Sequence, residues 1–276
     1  MIVDAQIHVW LADHPDRPWP KAADGGRTAS PQRPVPLEPP EVLSHMNRAG
    51  VDRAILVPPS WEGERNDLAL AAAREHPDRF AVMGRIGPDE TEAEKVRDWT
   101  AQAGMLGLRV ILSKGSRWRE EGAEHWLWRA AERAGVPIMI APVGAMPVVA
   151  DIAETCPDLR ITIDHMAARL HQKGHAAFVD IELVQNLAKR SNVSVKATCL
   201  PDYSKLERPW SDVTPYVRRL FDVFGPERLF WGSDLSRLPC PYETLVHVFH
   251  EELDWLTGSD RDGVMGQSVL NWLGWR

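Results

Sequence analysis

Apolar runs of seven or eight residues alternate with longer amphipathic stretches along almost the whole chain. The runs fall at 2–9 (IVDAQIHV), 53–59 (RAILVPP), 80–86, 107–113, 137–143, 159–165, 193–200 and 228–234. They are short and rich in Val, Ile and Leu, which predicts buried strands rather than helices. Between them 39–50, 66–77, 89–104, 121–134, 145–156, 174–190, 211–224 and 241–257 read as helices. The first opens on proline and closes on glycine, the usual asymmetry of helix ends. The second opens on a capping Asn, and the third carries acids in its first turn, where they suit the helix dipole.

Eight strands, each followed by a helix, predict an α/β protein, a distorted (β/α)8 TIM barrel. A doubly wound open sheet uses the same alternation, but no G-x-G-x-x-G follows the first strand. The 276 residues sit near the ~250 of one such barrel, so 1–276 reads as a single domain. Residues 11–38 are rich in Pro, Gly and Arg and follow strand one. A long insertion at a strand's C-terminal end lies over the active face of a barrel, so a lid is expected there.

Alternation along strands then places the polar residues. Asp4, Gln6 and His8 share one face of the first strand, with Val3, Ala5 and Ile7 left to pack on the helices. His165 closes the sixth strand in phase with Ile161 and Ile163, so Asp164 is expected to point the other way. Asp234 closes the eighth strand after Gly232 and Ser233. Barrel enzymes place their chemistry at C-terminal strand ends, and closure brings three such ends together. His8, His165 and Asp234 are therefore the expected catalytic set, against the plainer alternative of a satisfied buried network.

Arg85, Arg109 and Lys196 lie inside predicted strands. A buried cation needs a carboxylate, either the protein's own (Asp4 or Asp164) or the substrate's. Of the many tryptophans, Trp10, Trp19, Trp61 and Trp118 fall in or beside loops of the active face and can wall a pocket, whereas Trp99, Trp126 and Trp128 sit in helices as packing residues. The expected substrate contacts are Arg109, Gln6, Trp61, Lys196 and Arg85.

Composition narrows the partners. A net charge of -7 and a pI of about 5.8 recommend neither nucleic acid nor an anionic membrane. Cys156, Cys199 and Cys240 are far apart and form no C-x-x-C, which argues against a disulfide framework and a thiolate metal site. The start reads as a strand rather than a signal peptide, and no apolar run of ~18 residues occurs. A cytoplasmic protein acting on a small molecule is expected, and a homo-oligomer is allowed.

These motifs resemble the second amidohydrolase family. VDAQIHVW (3–10) is similar to its D-x-H-x-H-x-W opening, DHMA (164–167) to its strand-six motif, VKAT (195–198) to its strand-seven motif and WGSDLSR (231–237) to its strand-eight G-[ST]-D. PPSWEGERND (58–67) and HPDRFAVMGRI (76–86) stand at familiar spacings, so the likeness covers nearly the whole chain. The resemblance implies a TIM-barrel enzyme: a lactonase of the sugar-acid or pyrone-dicarboxylate kind, or a metal-dependent decarboxylase.

The chain also departs from the family. Gln6 stands for the first histidine of H-x-H, and the strand-five histidine is missing, the strand ending Ile140-Ala141-Pro142. No cofactor is therefore preferred. If a single divalent metal such as zinc is bound, His8, His165 and Asp234 are its ligands. The expected reaction is hydrolysis of a lactone or related cyclic ester. Asp234 acts as general base, and His8, His165 or Arg109 polarises the carbonyl. The absence of G-x-S-x-G disfavours a serine hydrolase. The alternative is a metal-dependent decarboxylase of an aromatic or unsaturated acid, and a third reading is a non-catalytic binding barrel. The substrate is expected to be acidic or ring-containing.

Overall fold

The computed structural model describes residues 1–21 and 29–276. Its centre is one parallel sheet of eight strands in chain order, curled into a nearly closed (β/α)8 barrel. The strands are β1 (Val3–Ile7), β2 (Arg53–Leu56), β3 (Phe80–Gly84), β4 (Met105–Ile111), β5 (Ile138–Ala141), β6 (Ile161–Ile163), β7 (Val193–Thr198) and β8 (Leu229–Gly232). Each predicted run holds one strand, trimmed at one or both ends, except that β4 begins two residues before its run, at Met105. Leu56, Val82, Leu108, Ile140, Ile161 and Val195 turn outward into the layer shared with the helices. Val3, Ala5, Ile55, Met83, Met139 and Phe230 fill the lower interior, and Leu270 and Leu273 of the C-terminal helix Ser268–Leu273 pack against them.

The first strand departs from simple alternation. Asp4 pairs with Ala54 but Ile7 with Leu56, so β1 carries one extra residue between them. Such a bulge reverses the phase beyond it. Val3 and Ala5 face the interior below the bulge, and Gln6 and His8 face it above. Asp4 does not share their face: it turns to the seam between β1 and β8. There its Oδ1 accepts hydrogen bonds from Gln6 N and Ser233 N, both at 2.9 Å, and its Oδ2 accepts one from the Tyr242 hydroxyl at 2.6 Å. A backbone bond from Asp234 N to Gln6 O (2.9 Å) completes the junction. Gly232 is required here, because a Cβ would stand 3.0 Å from both Ala5 N and Asp4 Oδ1.

Asp4→Ala strips three donors of their acceptor in a dry seam. The expected loss of stability is about 3 kcal/mol, read from urea unfolding; a change below about 1 kcal/mol would remove Asp4 as the closure. Burial pushes the Asp4 carboxyl from 3.8 up to about 6. The folded state therefore holds its proton more tightly than the unfolded chain. That contribution to stability is full below pH 3.8 and is lost as the pH rises through 6.

The helical layer is less regular than predicted. The helix expected over 89–104 divides into Glu90–Glu92, Ala93–Arg97 and Trp99–Ala101, because the Trp99 indole N–H reaches Gly107 O at 2.9 Å and draws the chain onto β4. The segments 174–190 and 241–257 are likewise broken, the latter by a wide turn over Val248–Glu252. Residues 22–28 of the expected lid lie outside the described residues. Among the described residues no helix is long and apolar enough to cross a membrane, and all three cysteines are free.

Candidate active site

A cavity of about 770 Å³ opens at the C-terminal ends of the strands. Trp61, Ile111, Ala141, Pro142, Val143 and Leu170 give it apolar walls. His8, Arg109, Asp164, His165, Asp202 and Arg237 supply its polar surface. Ala29 to Gln32, beyond the undescribed part of the insertion, also line it, and Gln32 hydrogen-bonds Ser236.

The sixth strand corrects the phase expected from sequence. Thr162 shares a hydrogen bond with Ser194 in the interior, so Asp164, two residues on, also points inward. His165 would then face outward, but its backbone adopts φ 53°, which breaks the alternation and brings both side chains to the cavity. Cys199 (φ 59°) and Asp234 (φ 51°) take the same left-handed conformation just past β7 and β8. Each such residue costs on the order of 1–3 kcal/mol, and such strain gathers at functional sites.

Two carboxylates organise the charge. Asp164 accepts from Arg109 Nε at 3.1 Å and pairs with Lys196 Nζ at 2.7 Å. Burial alone would raise its pKa, but Lys196 and Arg109 hold it well below the usual carboxylate range. Arg109 spends only Nε on Asp164; among the described residues its two terminal nitrogens have no hydrogen-bond or ion-pair partner, and the residue lines the cavity.

Asp234 is fully buried just behind the cavity lining, with His8 Nε2 3.3 Å from Oδ1 and His165 Nε2 3.8 Å from Oδ2. Burial pushes it up, yet the positive charge around it, Arg237 and Arg109 included, outweighs that and keeps it below the ordinary value. Its Oδ1 has no hydrogen bond of good geometry among the described residues. Burial lowers His165 to about 3, so its ring is neutral at ordinary pH, and burial lowers His8 as well. His165 Nδ1 shares a 2.6 Å hydrogen bond with Thr198, and His8 Nδ1 donates to Val57 O at 2.6 Å.

The structure therefore brings His8, His165, Asp234, Arg109 and Trp61 together. It does not bring the other expected substrate contacts to the cavity. Gln6 and Lys196 are fully buried beneath it and bond to each other. Arg85 is diverted because Asn66 binds its backbone N–H and C=O; its side chain donates to Gly63 O at 2.8 Å and pairs with Glu64 in a neighbouring cleft. Trp10 backs Trp61 edge-on at 5.1 Å, and Trp118 packs on His125 away from the cavity. Arg237, bonded to Asp202 and 3.5 Å from Asp234, was missed, although it lies inside the strand-eight motif.

A metal here would draw on His8, His165 and Asp234. Gln6 Nε2 stands 3.3 Å from His8 Nε2, so an N–H already points at the lone pair that a cation needs. Among the described residues no group of three His, Cys, Asp or Glu is arranged to hold an ion.

Comparison with known proteins agrees with this architecture. Residues 3–267 match the amidohydrolase family model. An L-fucono-1,5-lactonase of Burkholderia ambifaria is 27% identical over 258 residues, covering 86% of this chain and 81% of the relative. A 4-sulfomuconolactone hydrolase of Rhizobium radiobacter is 28% identical over 207 residues, 72% of this chain and 65% of the relative. A probable 2-pyrone-4,6-dicarboxylic acid hydrolase from Acinetobacter baumannii, solved with citric acid bound, superposes with a TM-score of 0.73 at 19% identity, covering 99% of both chains. An amidohydrolase from Burkholderia multivorans with bound zinc gives 0.73 at 18% identity, again over 99% of both; metal-bound barrels thus occur among structures of this fold.

Proposed function

The chain belongs to the amidohydrolase family, and we propose that it is a metal-independent lactonase whose base is Asp234. The observation that carries this reading is the buried Asp234 carboxylate, with an oxygen lacking a good hydrogen bond among the described residues, set between two imidazole Nε2 atoms behind a cavity of about 770 Å³. An unsatisfied buried acceptor calls for a proton-bearing partner, and water at the junction of the two rings supplies one.

In the proposed reaction Asp234 takes a proton from that water as its oxygen adds to the lactone carbonyl. His165, neutral and accepting from Thr198 at Nδ1, donates Nε2–H to the developing oxyanion. The ring C–O bond then breaks. Protonated Asp234 returns its proton to the leaving alkoxide, giving the hydroxy acid. Arg109 offers its terminal nitrogens to an anionic group on the substrate, and Trp61 packs against the ring. Ala29 to Gln32 close over one side of the cavity. The lactone-hydrolysing names of the sequence relatives favour hydrolysis over decarboxylation.

The donor set supports chemistry without a metal: the Gln6 N–H occupies the His8 lone pair, and Lys196 already supplies positive charge inside the barrel. The test is ring opening of a panel of acidic and neutral lactones, followed by acid release, before and after dialysis against a chelator. Chelation is expected to leave most of the activity. Near-stoichiometric zinc whose removal abolishes turnover and whose return restores it would overturn the metal-independent reading.

A further inference from the structure

Lys196, Gln6 and His8 lie end to end from the buried barrel interior to the cavity floor, and the donors and acceptors along them leave one arrangement. Lys196 Nζ donates to Gln6 Oε1, pairs with Asp164 Oδ1 at 2.7 Å and contacts Met139 Sδ at 3.1 Å. An ammonium has donors only, so the Gln6 oxygen must face it. The Gln6 NH2 is thereby turned to His8 Nε2, 3.3 Å away. At the far side of the ring, Nδ1 lies 2.6 Å from Val57 O, and a carbonyl only accepts. Nδ1 therefore carries the ring proton, and Nε2 meets the amide N–H with its lone pair. That same Nε2 is 3.3 Å from Asp234 Oδ1.

We propose that Lys196 is a positioning residue for hydrolysis: acting through Gln6, it fixes the polarity of His8 so that a bare imidazole nitrogen faces Asp234. In the resting state Nε2 has no proton to offer the carboxylate oxygen 3.3 Å away, so the contact is unfavourable. Once Asp234 has taken the proton of the attacking water, its O–H can donate to His8 Nε2, sharing that lone pair with the Gln6 amide, and the contact becomes a hydrogen bond. The arrangement favours the protonated form of the base that the reaction generates, and an imidazolium at His8 would do the reverse. The kinetic part of this inference rests on Asp234 being the base of a lactonase; the polarity of the ring does not.

Two variants separate the links. Gln6→Glu keeps the length and the contact with Lys196 but replaces the donating NH2 by an acceptor. Lys196→Met removes the ammonium and frees the Gln6 amide to reverse. Histidine-selective 15N labelling reports which ring nitrogens carry protons. In the parent, His8 is expected to be protonated at Nδ1 and bare at Nε2. In Gln6→Glu both nitrogens are expected to be protonated, with kcat down roughly 10- to 100-fold, the usual effect of removing an orienting partner, and KM little changed. In Lys196→Met the His8 signals should shift toward an average of two tautomers, with kcat again falling more than KM. A purely structural Lys196 would lower the melting temperature without moving the His8 nitrogens. Should Lys196→Met fail to fold, Gln6→Glu decides alone. A parent ring protonated at Nε2, or a Gln6→Glu ring like the parent's, overturns the proposal. If the nitrogen pattern is as expected but the parent opens no lactone, the polarity of His8 stands and the lactonase reading falls.

Discussion

Asp234→Asn is expected to lower kcat by about 10²- to 10⁴-fold, the usual contribution of a general base, with the fold and KM near those of the parent. The substitution keeps the shape of the side chain and removes its ability to take a proton. Its surroundings should tolerate the change: Arg237 retains Asp202, and His8 and His165 keep their bonds to Val57 and Thr198. The pH dependence follows from the same residues. Asp234 lies below the ordinary carboxylate value and His165 at about 3. The base is thus ionised and the imidazole neutral through the mildly acidic and neutral range. The parent rate should be flat there and fall only on stronger acidification, as Asp234 protonates. Steady-state rates of parent and variant from strongly acidic pH to neutrality check both points. An Asn variant retaining more than about a tenth of the parent kcat would move the base elsewhere, with His165 the next candidate.

The second large effect is expected at Arg109. Its Nε is committed to Asp164, and its terminal nitrogens are left to the cavity. Lysine retains the charge but loses the planar fork that matches a carboxylate or sulfonate. Because Lys196 also neutralises Asp164, Arg109→Lys should not leave that carboxylate bare. KM for a lactone bearing an anionic substituent should rise about 10- to 100-fold, in line with roughly 1.5–3 kcal/mol for hydrogen bonds to a charged group. A neutral analogue of the same ring should lose far less. Equal losses on the two substrates would make Arg109 a structural partner of Asp164 alone.

The barrel was legible because each strand is a buried run bounded by polar or turn residues, a pattern that survives without knowledge of the neighbours. The convergence of His8, His165 and Asp234 followed from their places at strand ends. What sequence could not supply was backbone detail. Alternation sent Asp164 away from the site and His165 into it, whereas β6 points Asp164 inward and only the left-handed turn at His165 admits both. The bulge in β1 likewise separates Asp4 from Gln6. Arg85 lies in the right register for the interior, but the Asn66 amide takes its backbone and turns it aside. The sequence reading assigns no element beyond 257, whereas helices run over Gly258–Asp262 and Ser268–Leu273. Gly266 between them serves close approach: a Cβ there would lie 2.5 Å from Met1 O.

The junction between the first and last strands has a consequence for catalysis. His8 follows β1 and Asp234 follows β8, so the 3.3 Å separation between imidazole and proposed base spans the joint where the barrel closes on itself. Elsewhere strand spacing is set by a ladder of backbone bonds; here the Asp4 side chain carries much of that duty. Breathing of this joint would widen the gap between Asp234 and the imidazole that faces it before it loosened any other part of the barrel. The enzyme's chemical competence is thus tied to one local opening equilibrium, and inactivation on warming or in dilute denaturant should precede loss of the fold.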